Sequence, residues 1–68
     1  SYNKEESKQL LEKLSEFIGI QKMQIVLKEG ELVEGIISEI GTDYITLILN
    51  EVDAILPISS ILYITYAR

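Results

Sequence analysis

Cysteine and histidine are both absent from this sequence of 68 residues. Without them the chain cannot form a disulfide, a Cys/His zinc site, or a Ser–His or Cys–His catalytic pair. A single domain of this length buries only about 60% of the surface of its unfolded chain, so its stability is marginal without such a staple. The two absences remove the commonest staples and the commonest catalytic groups, and they leave the redox compartment open.

Long apolar runs are absent as well. No run approaches the roughly 20 residues that a membrane span needs, and no basic-then-apolar signal segment opens the sequence. Yet 47% of the residues are hydrophobic and the mean hydropathy is +0.20. Because so small a domain has little interior, part of this apolar surface has to be covered by protein, including other copies of the chain. We expect a cytoplasmic protein that associates with protein and not with a membrane.

Basic residues are scarce over most of the chain. Residues 1–22 contain four lysines and four glutamates, which cancel. From residue 23 onward the only bases are Lys28 and Arg68, so this region carries the whole net charge of −5. Its acids are Glu29, Glu31, Glu34, Glu39, Asp43, Glu51 and Asp53. Such a surface repels phosphate, which disfavours nucleic acid as a partner.

Helical spacing marks the start of the chain. The large apolar residues there are Leu10, Leu11, Leu14, Phe17 and Ile18. Their spacing places them on one stripe of a helix. Asn3 and Glu6 resemble a capping box, and Gly19 suits the left-handed position after a helix end. The pattern predicts a helix over residues 4–18. Because its polar face is charge-balanced, we expect the stripe to pack on the chain's own sheet and not on a membrane or a partner helix.

Alternating apolar and β-branched residues follow Gly19 and predict strands. The predicted strands cover residues 23–28, 31–40, 44–50, 54–56 and 61–66. Glu29-Gly30 predicts a tight turn, and Pro57 ends the fourth strand before a single turn at 58–60. Gly35 falls inside a strand, where we expect a bulge or sharp bend that lets a short sheet curl. The fold class is mainly β: one domain over residues 1–68, with a helix before a small five-stranded barrel of the SH3 type.

Two groups of residues resemble known motifs. The first motif consists of a hydrophobic strand, a turn glycine, a second glycine before a hydrophobic position, and a further hydrophobic strand. In this sequence its residues are Leu27, Gly30, Gly35, Ile37, Ile40, Tyr44, Leu47 and Ile48. The second motif consists of hydrophobic residues around a tight turn between the last two strands. In this sequence it covers Leu56, Pro57, Ile58, Ser59, Ser60, Ile61 and Ile64. Over residues 4–66 the chain thus resembles the Sm/Lsm superfamily, which includes bacterial Hfq. The resemblance implies an Sm-like barrel that assembles into a homo-oligomeric ring, a hexamer or heptamer.

The resemblance also implies where copies would meet. In Sm rings the fourth strand of one subunit pairs with the fifth strand of the next. Ile61 and Ile64 match the inward positions of the family's last strand. This leaves Ile55 and Leu56 on the fourth strand, with Leu62 and Tyr63 on the fifth, as the candidate interface.

Three departures from the family concern RNA. The asparagine that contacts a base in RNA-binding members is replaced by Ile45. The family's basic pair, Arg-Gly or Lys-His, is missing from residues 57–60. The turn aspartate of the first motif falls at Gly41, with Asp43 two residues on. The resemblance therefore implies the fold without the usual RNA contacts.

Few residues remain as candidates for other chemistry. Tyr44, Tyr63 and Tyr66 could stack on bases, and Lys28 could contact phosphate, but without basic neighbours we expect the tyrosines to pack on protein. The acids near the turns match no known calcium loop, and Ser59-Ser60 has no base to activate it. We expect no metal, no cofactor and no enzyme activity.

The leading hypothesis is a ring-forming scaffold or protein-interaction module with an acidic surface. The alternative is an RNA-binding protein of the Hfq or Lsm kind that uses a non-standard surface with Lys28, Tyr44 and Tyr63. Copies of the lysine-bearing helix on one face of a ring would give such a protein weak phosphate binding. An acidic barrel fused to or docked on a larger enzyme is a third hypothesis.

Overall fold

A computed structural model describes residues 4–67 of the chain. The elements are α1 (Lys4–Leu14), a 3₁₀ turn (Ser15–Phe17), β1 (Lys22–Leu27), β2 (Leu32–Ile40), β3 (Tyr44–Ile48), β4 (Asp53–Pro57), a second 3₁₀ turn (Ile58–Ser60) and β5 (Ile61–Tyr66). The predicted mainly β fold with an N-terminal helix is confirmed. Each strand lies within two residues of its predicted bounds, and the turn at 58–60 is present.

The helix is shorter than predicted. Its α-helical part ends at Leu14, and the chain then tightens into the first 3₁₀ turn, where the Ser15 hydroxyl donates to the carbonyl of Glu12 at 2.6 Å. The predicted left-handed glycine is confirmed, since Gly19 has a φ of +74°. Its N–H donates to the carbonyl of Ile37 at 2.9 Å, which fixes the end of the helical segment on β2. The predicted cap residue Asn3 lies outside the described residues.

All five strands form one antiparallel sheet in the order β4-β3-β2-β1-β5. The β1–β2 hairpin turns at Gly30, which has the expected positive φ (+94°) and whose N–H donates to the carbonyl of Leu27 at 2.8 Å. In the part of the chain that the structure describes, β4 is hydrogen-bonded as a strand only to β3, and β5 only to β1. The sheet is therefore open, and β4 and β5 are its two edges.

One face of the sheet forms the core together with α1. The buried side chains are Leu11, Leu14, Met23, Ile25, Ile37, Ile45, Leu47, Ile58 and Ile61. Leu10 and Phe17 pack against this cluster while partly exposed, so the apolar stripe of the helix covers the chain's own sheet as predicted. Ile18 is the exception, because the chain leaves the α-helix before it and 39% of the residue is exposed.

The bulge that we expected at Gly35 lies elsewhere in β2. Gly35 pairs regularly with Met23, and the register shift in β2 falls between Ile37 and Glu39. The glycine is needed for a different reason: a Cβ there would lie 2.5 Å from the carbonyl oxygen of Ile48. Only glycine lets the end of β3 approach β2 this closely.

Candidate functional site

The β4 edge exposes one large apolar residue. Along this strand Ala54 and Leu56 are half-buried, whereas Ile55 is 69% exposed. The alternation follows from the pairing of Leu56 with the buried Ile45, which turns Leu56 toward the core and Ile55 away from it. Of the two β4 residues predicted at an interface, Ile55 is thus available to a neighbour, and most of Leu56 serves the chain's own core.

The β5 edge exposes two adjacent apolar residues. Ile61 is buried and Ile64 packs against the core, as predicted, while Leu62 is 55% and Tyr63 54% exposed. Neighbouring residues in a regular strand point to opposite faces. Here Val26 pairs with Tyr63 and Leu27 with Ile61, so Leu62 is the extra residue of a bulge. The bulge is what leaves both side chains open to solvent.

Beside this edge lies a small groove of about 290 Å³. Leu10, Leu14 and Phe17 form its helical side, and Leu62 and Tyr63 belong to its strand side. The exposed apolar surface of β5 therefore continues onto the helix, which widens the area that a neighbouring chain could cover.

The two edges differ in how far they are protected against pairing. Natural edge strands commonly carry charges or proline, which hinder addition of another strand. β4 begins with Asp53 and ends with Pro57, but β5 contains neither a charged residue nor a proline. Within residues 4–67 the outer backbone groups of β5 are covered by no other strand. An unprotected apolar edge of this kind favours strand addition by a partner.

The residues predicted to contact RNA do not form one cluster. Lys28 and Tyr63 lie near each other, because the N–H of Lys28 donates to the carbonyl of Ser60 at 2.9 Å and Tyr63 pairs with Val26. Tyr44 is on β3, which β2 separates from β1 in the sheet order, and its ring packs over Gly41.

Tyr66, the third tyrosine considered for stacking on bases, packs on the helical segment. Its ring centroid lies 4.5 Å from that of Phe17, with 47° between the ring planes. This contact holds the end of β5 against the segment that follows α1. The ring therefore serves the fold, although 43% of Tyr66 is exposed.

Charged side chains of the described residues all lie at the surface, since none is buried there. In the same part of the chain, no three carboxylates come close enough together to hold a metal ion. No helix of the described segment has both the length and the apolar character needed to cross a bilayer.

A larger groove, of about 820 Å³, lies between α1 and the turn that joins β2 to β3. Its apolar floor contains Leu11, Ile18, Ile40 and Ile58. Sequence patterns did not reveal this groove, because it depends on how the helix sits against a turn some 30 residues away along the chain.

Two comparisons with known proteins found no relative of this chain: no protein-family model matches the sequence, and no curated protein matches it. The resemblance to the Sm/Lsm superfamily therefore depends on the motif residues and on the order of the elements.

Proposed function

We propose that this chain is a non-enzymatic, Sm-like module that assembles with copies of itself into a ring and serves as a scaffold or protein-interaction unit. The helix, followed by five antiparallel strands in the order β4-β3-β2-β1-β5, supports this proposal. In it, the five strands curl around the apolar core as a small barrel of the SH3 type, and α1 lies across the core. The proposal assigns no catalytic group to the chain.

The observation that carries the proposal is the pair of free edges. One sheet leaves β4 and β5 without outer partner strands in the described region, and both present large apolar side chains. If β4 of one copy adds to β5 of the next, each subunit contributes one edge of each kind. Such a head-to-tail contact forms a ring when the rotation between subunits closes. By analogy with the Sm family, six or seven subunits would close it.

Charge supports a protein partner over RNA. The net charge of −5 disfavours phosphate, and Ile45 occupies the position where RNA-binding Sm proteins have a base-contacting asparagine. Ile45 is fully buried and pairs with Leu56 across β3 and β4, so it has no surface to offer to a base. We therefore favour protein interaction over RNA binding as the function of this module.

A pair of acidic substitutions on β5 tests the proposal. In a free monomer, Leu62→Glu with Tyr63→Glu would leave both carboxylates in water, because both positions are more than half exposed. At a strand-to-strand interface the same carboxylates would be buried without partners, at a cost of several kcal/mol each. We expect loss of the oligomer by light scattering coupled to size-exclusion chromatography, with β-structure weakened but detectable by circular dichroism.

The matched control is Leu32→Glu with Ile20→Glu. These positions are 59% and 77% exposed, but they lie on β2, which is paired on both sides, and in the loop before β1. The control adds the same two charges away from the edges and should leave the oligomer intact, as should Glu34→Gln. An intact oligomer in the β5 variant, or equal loss in the control, would contradict assembly through β5.

A further inference from the structure

The groove between α1 and the β2–β3 turn, here called the helix–turn groove, is separate from the assembly edges. Its floor is apolar, with Leu11 and Ile58 buried in the core and Ile18 partly exposed. Ile55, Leu62 and Tyr63 do not line it. Pairing of the edge strands through those three residues therefore does not explain why the chain has this second apolar surface.

Backbone hydrogen bonds hold the turn side of the groove in place. The N–H of Gly41 donates to the carbonyl of Tyr44 at 2.9 Å, closing the turn. The N–H of Ile58 donates to the carbonyl of Asp43 at 2.8 Å, tying the turn to the second 3₁₀ turn. On the other side, Leu11 anchors the helix in the core. The groove is thus preformed, which lowers the entropic cost of filling it.

The groove has room for a length of polypeptide. Its helical side includes Ser7 and Glu12 on α1 and continues through Ser15 in the first 3₁₀ turn to Ile18. The volume of about 820 Å³ is large, and several residues along the rim, Glu12 and Asp43 among them, are exposed. A groove of this volume with an apolar floor has room for a row of apolar side chains at helical spacing, as in other helix-in-groove contacts.

The charges on the rim favour a basic segment. Glu12 lies on the helical side and Asp43 on the turn side, and both acidic residues are exposed. Lys8 is the single base among the lining residues, which leaves the rim with a charge of −1 in a chain of net charge −5. Complementary charge of this kind speeds association and rejects acidic partners.

We propose that the helix–turn groove is the docking site for a basic, amphipathic segment of a partner protein. The apolar side chains of that segment cover Ile18 and Ile40, and its lysines or arginines pair with Glu12 and Asp43. This inference rests on the proposed protein-interaction role, but it does not require the ring.

A pair of synthetic peptides tests the proposal on the full chain. The probe is a fluorescein-labelled peptide of about 14 residues with leucines at helical spacing and lysines elsewhere. The reference peptide has glutamate in place of every lysine. We expect saturable binding of the lysine peptide by fluorescence anisotropy, and binding at least about tenfold weaker for the glutamate peptide.

Protein variants separate docking in the groove from general attraction to an acidic protein. Glu12→Gln with Asp43→Asn should weaken binding of the lysine peptide about five- to tenfold. Glu29→Gln with Glu31→Gln removes the same charge at the β1–β2 hairpin, outside the groove, and should change it less than about twofold. Ile18→Gln, at a position already 39% exposed, should weaken binding about fivefold while the circular dichroism spectrum stays the same.

Three results would overturn the docking site. Equal weakening in the two charge variants would mean non-specific attraction, and an unchanged affinity in Ile18→Gln would mean that the peptide binds elsewhere. A lower oligomeric mass in the groove variants would make a second copy of the chain the occupant. If instead the protein is a monomer and still binds the lysine peptide in the groove, the ring fails and the docking site stands.

Discussion

Replacement of Gly35 by alanine tests the closest backbone approach in the sheet. Gly35 is buried on β2, and a Cβ there would lie 2.5 Å from the carbonyl oxygen of Ile48 and 3.0 Å from Cδ2 of Leu49. The leucine side chain can rotate away. The carbonyl oxygen belongs to the backbone at the end of β3, so relieving this contact requires the two strands to separate.

The free energy of unfolding that Gly35→Ala loses can be compared with the total stability of the chain. Overpacking of this kind costs about 1–3 kcal/mol. Alanine recovers about 0.4–1 kcal/mol by restricting the unfolded chain, which leaves a net loss of about 1–2 kcal/mol. A domain of 68 residues has a total stability of roughly 3–10 kcal/mol. At about 4–8 °C per kcal/mol, the melting temperature should fall by about 5–15 °C.

Thermal unfolding followed by circular dichroism measures this loss, at a fixed protein concentration because association raises the melting temperature. The matched control is Gly41→Ala. Its Cβ would overlap the ring of Tyr44, a side chain that can turn away, so we expect a loss below about 1 kcal/mol. A Gly35→Ala protein that melts within about 1 °C of the parent, or a larger loss for Gly41→Ala, would mean that the close approach of β3 to Gly35 does not limit the stability of the sheet.

Three further predictions concern the core, the helix and RNA. Ile25→Ala, at a fully buried position, should cost about 2–5 kcal/mol in urea unfolding, while Ile20→Ala, at a position 77% exposed, should stay within about 0.5 kcal/mol of the parent. Phe17→Ala removes the ring contact with Tyr66 and should make α1 more sensitive to limited proteolysis, whereas unchanged cleavage would mean that the contact does not hold the helix. Short U-rich or A-rich RNA should bind weakly, lose affinity as salt rises, and respond little to Lys28→Ala. Tight binding at physiological salt in an anisotropy titration would instead support the RNA-binding alternative.

Local patterns in the sequence predicted most of the fold. Alternation of apolar residues located all five strands, and 61–66 was predicted with its observed bounds. Gly19 and Gly30 were predicted from turn chemistry, because glycine accepts a positive φ without steric cost. The predicted end of the α-helix was wrong, since the apolar stripe continues at similar spacing into the 3₁₀ turn at Ser15–Phe17.

Features that depend on strand register could not be predicted in the same way. The bulge at Leu62 and the register shift beyond Ile37 follow from how strands align, and a single strand's residues do not reveal that alignment. Likewise, the Thr65 hydroxyl donates to Gln24 at 3.3 Å and the Gln24 amide donates to Glu34 at 3.1 Å, across three strands.

The candidate site was predicted in part. The sequence placed four candidate interface residues on the fourth and fifth strands. Ile55, Leu62 and Tyr63 are exposed, whereas Leu56 is half-buried. Their exposure follows from strand alternation and, on β5, from the bulge. The helix–turn groove was missed because its two sides come from distant parts of the chain, and only tertiary packing brings them together.

The mass of the protein in solution shows whether the chain assembles, as the two free edges lead us to expect. Light scattering coupled to size-exclusion chromatography gives that mass without reference to shape. At micromolar concentration we expect a homo-oligomer with six or seven times the mass of one chain, unchanged on moderate dilution. A mass equal to that of a single chain would contradict assembly.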